Sequence, residues 1–198
     1  CISIINFCIF CIIFCKIICY VFYLFFIIFH TCPDMTIFFF FIIYNICYTG
    51  VEDTENYTNI YQSDLGGFVG QIGYKDETAY FSNVYTAQGD ETLMAAGFYA
   101  VGPNTSYEVY VVPEFQGTQT LDFSRQVASG TLKNAGYYTI PFDQEITLTE
   151  GQQFAIIVYI RTPGEERPIA IEYAEEGTGL EHLDMSDGQG YISLKGVD

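Results

Sequence analysis

Residues 153–161 read QFAIIVYIR: seven apolar residues in succession, mostly β-branched or aromatic, between two polar ends. The run is shorter than the roughly ten residues a core helix needs, so it predicts a strand, and its lack of alternation predicts a central strand covered on both faces. Turn formers stand on either side, TEGQ at 149–152 and TPGEERP at 162–168. The same signature recurs outward in AYFSNVYTA (79–87), SYEVYVV (106–112), YYTIPF (137–142) and PIAIEY (168–173), punctuated by GPNTS (102–106), KNAG (133–136) and SDGQG (186–190). In SYEVYVV, alternation sends Tyr107, Val109 and Val111 toward a core and Glu108 and Tyr110 toward water. No stretch after residue 50 carries a helical stripe. Short strands spaced by turns, without intervening helices, predict an all-β fold: an antiparallel β-sandwich of jelly-roll type, not a parallel sheet.

Averages over the 198 residues conceal a division. Residues 1–50 hold all seven cysteines and only two formal charges, Lys16 and Asp34. Residues 51–198 hold the other six basic and 23 acidic residues, so 6 minus 23 gives the whole net charge of −17. A segment of that length buries enough surface to fold without disulfides or a metal. Its acidity argues against nucleic acid, where phosphate demands basic patches, and against an anionic membrane surface. It suits an extracellular or cell-surface location.

The expected organisation is a hydrophobic segment over 1–47 and the β-sandwich over 48–198. The first segment carries 14 Ile and 11 Phe against one Leu and one Val, an odd choice for a membrane span, where small residues let helices approach. Residues 2–29 are long enough to cross a membrane only if Lys16 is tolerated near the middle, which costs at least ~2.5 kcal/mol. Two readings stay open: out-of-frame or non-coding translation over most of residues 1–43, or a membrane anchor. A membrane is therefore a partner only if residues 1–47 are authentic. Cys8 and Cys11 form a CxxC pair, but the later cysteines offer no second zinc-ligand pair and no βαβ context surrounds them.

Chemistry is sparse after residue 50. With no cysteine there, a Cys–His nucleophile is excluded from the sandwich, and His182 is its only histidine, set in a polar loop without a G-x-S-x-G elbow. The glycine run GGFVGQIG (66–73) lacks the spacing and Lys-Ser/Thr ending of a phosphate loop, so turn and tight-packing roles explain it better. LDMSDGQG (183–190) departs from the EF-hand pattern at its third and fifth positions. No catalytic residue, metal or cofactor is expected. What remains is aromatic density: Tyr57, Tyr61, Phe68, Tyr80, Tyr137 and Tyr138 are able to stack on sugar rings, with Asp64, Asn83 or Glu172 accepting hydroxyl hydrogen bonds, although strand tyrosines more often pack.

Five blocks, NYTNIYQSD, ETAYFSNVYTAQGDETLMAAGFYAVGPNTSYEVYV, SGTLKNAGYYTI, ITLTEGQQFAIIVYIRTPGEERPIAIEY and GQGYIS, occur in an order that resembles the lectin-like β-sandwich domain found C-terminal to papain-like cysteine peptidases of anaerobic bacteria and archaea. The resemblance runs from about Tyr48 to the end. It implies a non-catalytic, exported accessory module, with an upstream peptidase domain and a cell-surface or cell-wall glycan as partners. A structural spacer that packs on the peptidase without binding sugar, or a membrane-anchored surface protein, are the alternatives. The family's usual tryptophan after DPLG is matched by Phe68 after DLGG, and Tyr80 stands where another tryptophan is expected, so both indoles on which stacking would rest are absent. The resemblance singles out Phe68, Tyr80 and Asn83, and with Asp64 as a hydroxyl acceptor these are the candidate ligand-binding residues.

Overall fold

In the computed structural model, QFAIIVYIR forms one strand over Gln153–Arg161 and occupies the middle of a five-stranded sheet. The structure describes residue 53 and residues 56–63, 66–174 and 190–196. The chain divides into two units, Cys1–Asn56 and Tyr57–Asp198. The first lies almost wholly outside the described residues, as do the CxxC pair, the expected boundary at Tyr48, His182 and most of LDMSDGQG. Among the described residues no helix is long and apolar enough to cross a membrane.

The second unit runs β1 (Gly70–Ile72), β2 (Thr78–Thr86), β3 (Glu91–Ala100), β4 (Thr105–Val112), β5 (Gln126–Leu132), β6 (Gly136–Leu148), β7 (Gln153–Arg161), β8 (Ile169–Ile171) and β9 (Gly190–Ser193), with a short 3-10 turn at Thr118–Thr120. All pairings are antiparallel. One sheet has the order β5-β4-β7-β2-β9; β3 pairs with β6, and β1 with β8. The chain folds as an antiparallel β-sandwich, as its alternation predicts.

Strand β7 shows why its sequence does not alternate. Phe154, Val158 and Ile160 enter the main core together with Val109, Val111 and Val127 from the same sheet and Phe98, Ile140, Ile146 and Leu148 from β3 and β6. The intervening Ala155 and Ile157 belong to a second cluster, with Val84, Tyr110, Val112 and Phe115. Both faces of β7 are thus buried, because residues 113–125 fold over the outside of the five-stranded sheet and pack Phe115, Leu121 and Phe123 against it. This corrects the expectation for β4. Tyr107, Val109 and Val111 do face the main core, but the opposite face is wet only in part: Glu108 is half-buried, and Tyr110 is buried under Phe123, with ring centroids 5.2 Å apart. Two strands escape the sequence patterns. β3 is written in Leu, Met and Ala, which favour helix, and β5 in Gln, Ala, Ser and Gly; pairing with β6 and β4 overrides these weak preferences.

Candidate ligand-binding surface

On the outer face of the β3–β6 sheet, large aromatic side chains are exposed to solvent. Tyr99 on β3 and Tyr137 on β6 are cross-strand partners, and their rings meet edge to face with centroids 5.0 Å apart. Phe68, in the segment leading into β1, extends the row with its ring 5.8 Å from that of Tyr99. Phe68 is 47% exposed and Tyr137 57% exposed, among the largest values for apolar or aromatic side chains in the described residues. Glycine sets the geometry. A Cβ on Gly97 would collide with the Tyr137 hydroxyl, so the ring lies across β3 in space that any side chain would fill. Beside it, a Cβ on Gly67 would come within 3.0 Å of the Tyr99 hydroxyl oxygen. The run GGFVGQIG therefore works as tight-packing glycine against tyrosine, as the sequence suggests: Gly70 likewise seats the Tyr173 ring. Strand alternation puts Ala95, Thr139 and Pro141 on this same face, which carries no charge along the Tyr99–Tyr137 register.

Chemically, this is a stacking platform. Three rings in a row expose apolar surface and hydroxyl rims without a carboxylate among them, which suits the C–H face of a sugar. At one end the Glu172 carboxylate accepts the Gly66 backbone N–H at 2.7 Å. That bond ties the glycine loop, and with it Phe68, to the chain after β8. Glu172 thus positions the loop.

The four candidate residues do not converge. Phe68 is part of the platform. Tyr80 stands on the opposite side of the molecule, on the outer face of the five-stranded sheet, with its ring 4.8 Å from Tyr159 and 5.0 Å from Phe123. Asn83 is three residues further along β2 and so faces the other way; its amide donates to the Tyr85 hydroxyl at 3.1 Å. Asp64 lies outside the described residues. Tyr99 was missed by sequence reasoning, because ETLMAAGFYA does not look like a strand and its pairing with Tyr137 is long-range. Tyr61 and Tyr138 are packing residues: the Tyr61 hydroxyl donates to Glu91 and accepts the Gln88 N–H at 2.8 Å, and Tyr138 donates to the Asn134 carbonyl at 2.8 Å.

Elsewhere the polar side chains are occupied structurally. Burial first, and then the hydrogen bond to Glu108, raise the Tyr110 phenol far above its ordinary value, while burial, with Tyr159 and Glu108 nearby, raises Tyr80. Both phenols therefore stay neutral donors at physiological pH. Glu91, held by Asn59 and Tyr61, is pushed below the usual carboxylate range. Among the described residues no cluster of His, Cys, Asp or Glu is arranged to hold a metal ion.

Comparison with known proteins agrees with this architecture. The family model described as "Lectin like domain" matches residues 60–198. A search of curated proteins gives no match. Among solved structures, the chain is similar to the clostridial cysteine protease Cwp84 after propeptide cleavage, at 27% identity and a TM-score of 0.56, over 67% of this chain and 32% of that one. It is also similar to the cysteine protease and lectin-like domains of Cwp84, a surface layer associated protein of Clostridium difficile, at 25% identity and a TM-score of 0.50, over 61% of this chain and 27% of that one. The matched region thus spans about a third of the length of those protease chains. With one family model matching most of its length, the chain belongs to the lectin-like domain family.

Proposed function

We propose that this chain is the accessory module of a surface-associated cysteine peptidase and that it contacts cell-surface or cell-wall glycan through the outer face of the β3–β6 sheet. The observation that carries this reading is the Phe68–Tyr99–Tyr137 row, exposed at Phe68 and Tyr137, with Tyr137 seated across Gly97. Single rings on a surface are ordinary, but a row of three whose outer two, Phe68 and Tyr137, are exposed favours an interaction site. The module supplies adhesion and the peptidase the chemistry. Co-sedimentation with purified peptidoglycan tests it. Wild type should pellet, whereas Tyr137→Ala and Phe68→Ala should each weaken binding about tenfold, on the scale of the ~1–3 kcal/mol that a nucleic-acid base draws from an aromatic face. Equal pelleting of all three proteins would contradict the proposal.

The presence of protease and lectin-like domains in one Cwp84 structure favours a second reading, in which the module packs on its peptidase as a spacer. Under that reading peptidoglycan binding is absent, and Tyr137→Ala lowers the thermal stability of a joined peptidase.

A further inference from the structure

Strand β3 breaks its alternation beside the platform. Leu93 and Ala96 both pack against the main core, as Phe98 and Ala100 do, although 93 is odd and the others are even. One face change is therefore skipped between Leu93 and Ala96, at the point where the register against β6 also slips: Ala95 pairs with Pro141, but Leu93 pairs with Ile146. The break has two consequences. It turns Gly97 and Tyr99 outward, since unbroken alternation from Leu93 would put Tyr99 in the core and Phe98 in water. It also leaves Met94 and Ala95 both on the outer face, and Met94 is 48% exposed.

Residues 142–145 of β6 fall in the gap of that register, opposite Met94. There the Gln144 side-chain amide donates to the Gln126 carbonyl on β5 at 2.9 Å, so this part of β6 reaches toward the other sheet. Met94 is thus an exposed thioether at a break in the sheet, on the face that carries the rings. From Tyr99 to Met94 the strand rises about 15 Å. The Tyr137 ring crosses it at Gly97, and on the outer face only Ala95 stands between that crossing and Met94. Phe68, Tyr99, Tyr137 and Met94 therefore bound one elongated apolar track whose middle, at Gly97 and Ala95, carries almost no side chain of its own. A single sugar ring is too short to reach from one end of that track to the other.

We propose that Met94 is a further contact residue of the platform, and that the site holds an internal stretch of a linear glycan chain laid along β3 from Phe68 to Met94, in place of a single terminal sugar. This rests on the platform's reading as a glycan surface. The rings take the C–H faces of successive sugars, and the unbranched, polarizable Met94 side chain covers the next apolar face along the chain. Calorimetric titration of the full chain with the dimer and the tetramer of N-acetylglucosamine tests it. Wild type should bind the tetramer about tenfold more tightly than the dimer. Met94→Ala should bind the dimer like wild type and lose most of that gain, Met94→Leu should keep it, and unchanged thermal melting reports an intact fold. Tyr137→Ala should weaken both ligands about tenfold. Equal wild-type affinity for the two oligomers, or a Met94→Ala change that leaves tetramer binding intact or weakens both ligands alike, overturns the extended site while the platform stands. A Tyr137→Ala protein that binds like wild type, or a wild type that binds neither oligomer, overturns the platform and this inference with it.

Discussion

The two sheets of the sandwich share one core and finish their outer faces differently. Outside the five-stranded sheet, residues 113–125 bring Phe115, Leu121 and Phe123 down on Val84, Tyr110, Val112, Ala155 and Ile157. Outside β3–β6, the Tyr99 ring lies against those of Tyr137 and Phe68, and Phe68 and Tyr137 are exposed. The same residue class is thus cover on one side and open surface on the other. Aromatic rings covered by their own chain serve stability, whereas exposed rings kept in place by glycine are the ones available to a ligand under the proposed function.

Substitutions sharpen that contrast. The largest effect belongs to the shared core: Phe154 is fully buried on the central strand and meets Tyr61 and Tyr85. Phe154→Ala should cost about 3–5 kcal/mol in denaturant unfolding, and a loss below about 1 kcal/mol would mean that β7 is not the middle of the fold. Next comes the cover. Phe115→Ala should cost about 3 kcal/mol, whereas Tyr137→Ala on the open face should cost less than about 1 kcal/mol. Equal losses at the two sites would erase the distinction between faces.

Smaller effects come from two polar details. Tyr61 ties residues 57–63 to Glu91 and Gln88 at one end of the sandwich. Tyr61→Phe should cost about 1 kcal/mol near neutral pH. Because Glu91 titrates lower in the folded protein than its ordinary 4.5, its share is present above that pH and is lost as pH falls through the folded value. Tyr61 titrates higher than its ordinary 10.0, so its share is present below that pH and is lost as pH rises through the folded value. The substitution should therefore flatten both arms of a stability–pH profile, and parallel profiles would show that this contact contributes nothing. The smallest change concerns Ser82, whose buried hydroxyl finds no hydrogen-bond partner among the described residues. Ser82→Ala should be neutral or stabilising by up to about 1 kcal/mol, and a clear destabilisation would reveal a partner.

Period-two alternation and continuous apolar runs made β2, β4, β7 and the antiparallel sandwich legible, since burial of one or both faces writes directly into residue order. The cover was not legible. Phe115, Leu121 and Phe123 sit among Gln, Gly, Thr and Asp in a segment that reads as a polar loop, and only the fold shows that they close a sheet face. The site was legible in part. Phe68 and Tyr137 stand out as aromatic residues beside turns, but Tyr99 joins them only through pairing with β6, and Gly97 matters only because a ring from another strand lies over it. Tyr80 and Asn83 lie close in sequence and face opposite ways, which pleating dictates once the strand is known.

Backbone amide chemical shifts of the full chain, followed while an N-acetylglucosamine tetramer is added, test the central claim most directly. If the β3–β6 outer face is a glycan surface, the amides of Phe68, Gly97, Tyr99, Tyr137 and Thr139 move together with one binding constant. If those amides stay still while the tetramer binds elsewhere or not at all, the platform is not the glycan site and the account is wrong.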